Sequence, residues 1–435
     1  MGHILIPDHK YHLLQQRLER NVEGAPDSPA FIKILKLLFS PEEAEFVRRI
    51  PGRPAPLDVL SRKLGIPRDE LDEKMTKLAQ RGLVIDLEHK GQRYFALPSV
   101  VIGFFEFIFM RTRDDMPMAE LARLFEEYFF ENDHFWKSFF QGKTQRLRSL
   151  VREEALPEVA YTEILDWERA SHIVRSASAV AVSICQCHRT ASLLEKACDR
   201  PELTCLSLNY AADMLIRNGS AQQITTDRAM RILEECKEAG LAQTADNVQQ
   251  KVSLICNCCG CCCVGMQAIK TFDLRNALVT SNWIMQVDLS RCNGCGKCAT
   301  ACPVNAIDIT EENEAGKKRR WAVHDETICL GCGVCYSTCK FGAITMKPRS
   351  QRVFTPETIF DRIVSMAIER GKLANLIFDE PEKLSHRALG RIVSILEKSP
   401  PFKAAMAIKP LRSAFLNTMV KEAKRQLGEI SQVLS

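Results

Sequence analysis

Apolar residues recur at helical spacing through Phe31, Ile34, Leu35, Leu38 and Phe39, and Ser40-Pro41-Glu42-Glu43 is a strong start for a second helix. Leu57 to Leu64 predicts a third helix and Arg68 to Arg81 a fourth, separated by Gly65-Ile66-Pro67 and stopped by Gly82. The period then shortens: Leu83 to Leu87 and Arg93 to Leu97 flank His89-Lys90-Gly91 and predict a hairpin. Residues 1–30 read as an N-terminal segment ending in a linker, Glu23 to Pro29. From 98 to 178 the pattern turns aromatic, and Leu121, Leu124, Phe125, Tyr128 and Phe129 keep the helical spacing of a packed core. Aromatics near Lys137, Lys143, Arg146 and Arg148 leave a partner or membrane-surface face as the sharper alternative. Ile224 to Ala239 reads as an amphipathic helix closed by Gly240, with Cys236 as a buried core thiol. Residues 349–435 return to helical periodicity (Ile359, Ile363, Met366, Ala367; then Leu389, Ile392, Leu396), with a break at Pro400-Pro401.

The helices and terminal hairpin of residues 31–97 together resemble a winged helix-turn-helix domain. Its groove-reading helix would be Arg68 to Arg81, which carries Asp69, Glu70, Asp72 and Glu73 where phosphates and base edges would sit. A protein-docking module is therefore preferred to a DNA reader. Four basic residues on that helix, with Lys90 and Arg93 in the wing, keep DNA binding open.

Composition changes this picture through cysteine rather than charge. A formal net charge of +5 over 435 residues demands neither nucleic acid nor membrane. All 19 cysteines lie between positions 185 and 339, and the start of the chain, broken by Pro7, is no signal peptide. A reducing, cytoplasmic setting with metal-binding thiols is expected instead of disulfides. The longest apolar run, Val100 to Met110, contains Glu106 and is too short for a transmembrane helix.

Two runs carry the clearest chemistry: Cys292-x2-Cys295-x2-Cys298-x3-Cys302-Pro303 and Cys329-x2-Cys332-x2-Cys335-x3-Cys339. In this spacing three thiolates surround one iron-sulfur cube and the fourth goes to its twin. Cluster one would use Cys292, Cys295, Cys298 and Cys339, and cluster two Cys329, Cys332, Cys335 and Cys302. Zinc ribbons use separated Cys pairs and fit this spacing worse. Each run is flanked by short β-like stretches: Met285 to Asp288 and Ala306 to Ile309, then Trp321 to Val323 and Ala343 to Met346. With this internal duplication, residues 284–348 closely resemble the bacterial-type ferredoxin domain with two [4Fe-4S] clusters. The resemblance implies a compact β-α-β repeat that carries single electrons. One departure is Lys340, which stands where a second proline is expected, and a cation there would raise the potential of cluster one.

A second cysteine field precedes these runs. It comprises Cys185, Cys187 (followed by His188), Cys198 and Cys205, then Cys256, Cys258, Cys259, Cys261, Cys262 and Cys263. Cys-x-Cys-His is not the motif of covalent haem attachment. Six thiols in eight residues cannot all converge on one tetrahedral ion, so they are shared between sites or left partly free. The economical reading is a third iron-sulfur cluster made by the Cys185 group with one or two thiols of the run. Zinc, a non-cubane cluster and a two-electron thiol centre stay open.

The expected architecture is α+β and multidomain: an N-terminal segment (1–30), a winged-helix-like domain (31–97), an aromatic helical region (98–178), a helical cysteine-rich middle (179–283), a ferredoxin-like two-cluster domain (284–348) and a helical C-terminal region (349–435). These parts resemble multidomain 4Fe-4S binding proteins of anaerobic metabolism. The chain is read as an electron-transfer protein, a subunit or partner of a cytoplasmic oxidoreductase complex, rather than a stand-alone enzyme. Neither a dinucleotide nor a nucleotide-phosphate fingerprint occurs. The competing reading is a redox-sensing regulator that binds DNA through the winged helix.

Overall fold

The computed structural model describes residues 8–157, 164–275, 277–314 and 317–378, with a few isolated positions beyond. Helices and small sheets alternate along the chain, a mixed α+β arrangement that divides into two compact units. Unit one contains residues 1–144, 214–220 and 357–435; unit two contains 145–213 and 221–356.

Unit one opens with α1 (His9–Glu19), α2 (Pro29–Leu38) and α3 (Pro41–Val47). The Ser28 hydroxyl caps α2 by accepting the Phe31 N–H, and Ser40 and Glu43 form a reciprocal capping box at α3. The expected linker is instead packed: Ala25 is fully buried, and the Gln15 side chain donates to its carbonyl at 2.7 Å. Its Pro and Gly residues shape a turn against α1 rather than a free tether, because the apolar side of α1 needs cover. Next come β1 (Ala55–Pro56), α4 (Leu57–Leu64), α5 (Arg68–Gln80) and the hairpin β2 (Ile85–His89) and β3 (Gln92–Ala96), in sheet order β1-β3-β2. Lys90 and Gly91 both take positive φ in the hairpin turn, which suits the strand twist. Asp86 is fully buried yet satisfied by Arg93 (3.0 Å), Arg217 (2.9 Å) and Asn218 (2.8 Å).

The aromatic run builds α6 (Phe105–Phe109), α7 (Met118–Phe130) and α8 (His134–Phe139). Phe105, Phe109, Phe125, Phe129, Phe135 and Trp136 are buried against one another, with ring centroids 4.8–6.0 Å apart. These residues are core, at about 2–3 kcal/mol of burial per ring. Helices at Ile359–Glu369 and Leu373–Ile377 are the last elements of the unit among the described residues. There Arg370 donates to the carbonyls of Val22, Phe139 and Gln141. The expected periodicity at Leu389, Ile392 and Leu396 and the break at Pro400-Pro401 lie outside the described residues.

Unit two corrects the expectation of a helical middle. A six-stranded antiparallel sheet runs through it in the order β4-β8-β9-β6-β5-β7. Its strands are β4 (Leu147–Ser149), β5 (Val180–Ser183), β6 (Cys205–Leu208), β7 (Gln222–Gln223), β8 (Ala242–Asp246) and β9 (Leu254–Cys258). Between them lie α9 (Ala170–Arg175), α10 (Gln186–Leu193), α11 (Asn209–Arg217, of which residues 214–217 count with unit one) and α12 (Thr226–Glu238), with α13 (Val264–Phe272) following. Every residue of β5, β6 and β8 is buried, so no polar alternation marks them as strands.

The duplicated segment has two antiparallel strand pairs. β10 (Trp283–Val287) pairs with β13 (Ile344–Pro348), and β11 (Ile307–Glu314) pairs with β12 (Lys317–His324). The strand before the first run thus pairs with the strand after the second. Short helices α14 (Lys297–Ala301) and α15 (Val334–Thr338) carry the third cysteine of each run.

Candidate metal centres

In each run the chain must turn so that three sulfurs face inward, and glycine permits it. Gly294 and Gly331 both have φ of 68°, and Gly296 and Gly333 both have φ of 79°. A Cβ on Gly331 would lie 2.1 Å from the Trp283 carbonyl oxygen, and one on Gly294 would lie 2.4 Å from Arg320 Cβ. The Cys292, Cys295, Cys298 and Cys339 side chains line one cavity together with Ile309, Ala322, Phe341 and Ile344. Backbone N–H groups point at sulfur: Ala322 at Cys292 (3.4 Å), Ala306 at Cys302 (3.2 Å) and Ala343 at Cys339 (3.4 Å). Such donors favour the ionised sulfur that ligates metal.

Residues 291–343 match the 4Fe-4S dicluster domain. Neither the curated proteins nor the solved structures gave a match to the chain. The dicluster domain fits its groups through its donor set, since burial without metal is costly to the thiolates. Burial pushes Cys332 up to about 12 and raises Cys298, Cys302 and Cys335. Metal ions displace those protons.

The surroundings of the two four-cysteine groups differ. Cys295 is exposed and Cys292 and Cys339 are half-buried, whereas Cys329, Cys332 and Cys335 are buried. Lys340 is exposed, so water screens its charge. The buried cation lies elsewhere, and sequence reading missed it. Arg152, 2% exposed, donates from its backbone to the Cys332 carbonyl (3.1 Å) and from its guanidinium to Ser337 and to the carbonyls of Lys237 (2.9 Å) and Leu241 (3.2 Å). Burial pulls its pKa down, while the Cys332 and Cys335 sulfurs oppose that shift. Arg349 also donates to the Cys329 carbonyl, at 2.7 Å.

The second field is assembled by the six-stranded sheet and parted into two groups. β6 and β9 pair with Leu206 opposite Ile255, which sets Cys205 beside Cys256, and alternation along β9 puts Cys256 and Cys258 on one face. Cys185 and Cys187 at the start of α10 and Cys263 at the start of α13 join them. The thiols contact in series: Cys185 with Cys187, Cys187 with Cys263, Cys263 with Cys258, Cys258 with Cys256, and Cys256 with Cys205. Hydrogen bonds from Cys187 and Cys258 hold Cys263 well below the usual thiol range.

Cys198 leaves the Cys185 group. It sits with Cys259, Cys261 and Cys262, all four sulfurs within 4.8 Å of one another. Hydrogen bonding from Cys262 brings Cys259 down to about 4, and burial lifts Cys261 to about 11. Sulfurs this crowded share protons where a metal would replace them. Cys236 lies apart on α12 as a buried thiol, raised to about 12 by burial. Among the described residues, no helix is long and apolar enough to cross a membrane.

Proposed function

We propose that this chain is an iron-sulfur electron-transfer protein, a subunit or partner of an oxidoreductase complex. Cys292, Cys295, Cys298 and Cys339 would hold one [4Fe-4S] cluster, and Cys329, Cys332, Cys335 and Cys302 the other. The observation that carries this reading is the cavity lined by Cys292, Cys295, Cys298 and Cys339, within a segment that matches the 4Fe-4S dicluster domain. When bound, such clusters supply one-electron chemistry. The residues around them set access and charge. Exposed Cys295 and Phe341, 49% exposed, form the face open to a redox partner protein, while Arg152 and Arg349 sit at the enclosed run. The six-thiol series of the middle field is proposed as a further iron-sulfur site.

For residues 31–97 the proposal is a winged helix used for protein docking, not DNA binding. Its basic groups are engaged: Arg68 with Asp58, Lys77 with Glu73, Arg81 with Glu43, and Lys74 over the Phe46 ring at 3.9 Å. In the wing, Arg93 is held by Asp72 and Asp86.

The test is iron and acid-labile sulfide per chain after anaerobic purification, with EPR during reductive titration. About eight irons are expected from the dicluster domain alone, with reversible one-electron signals. Iron near zero with zinc in its place would overturn the proposal. Salt-dependent retention on nonspecific DNA would revive the regulator reading.

A further inference from the structure

The ten thiols of the middle field differ in how their sulfurs are spaced. Cys198 lies in the loop after α10, and Cys259, Cys261 and Cys262 lie in the turn between β9 and α13. The sulfurs stand 3.9 Å apart for Cys198 and Cys259, 3.6 Å for Cys198 and Cys262 and 3.9 Å for Cys261 and Cys262. A tetrahedral ion with metal–sulfur bonds of about 2.3 Å sets its sulfurs about 3.8 Å apart. In a four-iron cube each thiolate binds its own iron, so the four sulfurs must stand wider than sulfurs that share one ion.

We infer that Cys198, Cys259, Cys261 and Cys262 bind a single tetrahedral zinc or iron ion, in a site distinct from the six-thiol series. The inference rests on the reading that this field binds metal, and it does not depend on the dicluster domain carrying electrons. Four thiols lose their protons on binding a divalent ion, which leaves a net charge of −2 on the centre. Arg200 stands ready to offset it, its guanidinium 3.5 Å from the Cys261 sulfur and anchored to the Ala239 carbonyl at 3.0 Å. The turn itself is held from both sides. Gln267 donates to the Cys261 carbonyl (2.8 Å), Lys270 donates to that of Gly260, and the Cys262 N–H points at the Cys259 sulfur (3.2 Å). Buried His188 fixes the other arm by donating from Nε2 to the Cys198 carbonyl at 2.7 Å.

The position of the site gives it a structural task. A Cβ on Gly260 would lie 2.6 Å from the Pro303 carbonyl oxygen and 2.9 Å from Pro303 Cα. The thiol turn therefore packs backbone to backbone on the residue that follows Cys302. An ion that closes this turn holds it against the enclosed half of the dicluster domain.

The experiment uses the full chain, purified anaerobically, with zinc and iron counted in wild type and in the double variant Cys198→Ser/Cys261→Ser. The expected result is the loss of one metal ion per chain with the dicluster EPR signals kept. Loss of several irons, or of no metal ion at all, overturns the inference. Absence of dicluster signals already in the wild type would overturn the functional proposal instead. Should the double variant not fold, Cys261→His at this exposed position is expected to retain one ion. X-ray absorption at the edge of the bound metal in the wild type, after Co2+ exchange, then reads the site directly. Four sulfurs and no neighbouring metal support a single-ion site, and a metal–metal distance rejects it.

Discussion

The two cysteine runs of the dicluster domain share their spacing, their turn glycines at matching φ and third cysteines on helices of equal length, yet one faces solvent and the other is enclosed. Cys295 and Phe341 open the first run to the surface, and Arg152 supplies a buried cation beside the second. The difference teaches that spacing selects the ligands, while what packs on the motif sets charge, dielectric and access. The two proposed clusters are thereby made unequal in part by Arg152, about 180 positions before the second run in sequence.

The largest expected effect separates backbone fit from surroundings. Gly331→Ala puts a Cβ into the Trp283 carbonyl on top of a left-handed backbone, and should remove about four irons from the chain. Gly296→Ala meets only an ordinary contact, Ile309 at 3.8 Å, and should cost only about 1–2 kcal/mol in a denaturant titration with iron retained. Equal iron loss in both would show that the left-handed backbone, and not the clash with the Trp283 carbonyl, is what excludes a side chain.

Next in size is Arg152→Gln, which removes the cation and leaves the Lys237 and Leu241 carbonyls short of donors, at about 1–3 kcal/mol of stability. In a redox titration the midpoint of one cluster should fall while the other holds. If neither moves, Arg152 is structural and the electrostatic half of the comparison fails. A smaller, kinetic difference is expected with a soluble chelator or oxidant: iron should leave in two phases, the exposed run first. A single phase would show that both runs are equally reachable. The smallest effect belongs to Lys340→Pro, which should barely shift the first cluster's midpoint and not at all in high salt. A shift as large as that from Arg152→Gln would restore Lys340 as the cation that matters.

Much of the chain was legible where its signals are local. The capping box at Ser40, the helices Leu57–Leu64 and Arg68–Gln80, the hairpin turn at Lys90-Gly91 and the buried aromatic helices lie where periodicity put them. The six-stranded sheet was missed because β5 and β6 are short apolar runs that read equally as helix, and β8 is short and polar (Gln243, Thr244, Asp246) although wholly buried. The linker at Glu23 to Pro29 misled because Gly and Pro mark a turn without saying whether it is covered.

By itself the sequence determined where the dicluster domain lies and which eight cysteines are proposed to serve it, since ligand spacing along a short loop is a property of the loop. Only the tertiary structure decided how the ten thiols of the middle field divide. Cys198 joins Cys259, Cys261 and Cys262, and Cys205 joins Cys256, through strand pairing and loop packing across some fifty or more residues. Arg152 likewise reaches Cys332 only because the folded chain brings β4's neighbour to the second run. Contacts between distant segments depend on which surfaces need burial, and spacing along the chain carries no record of that.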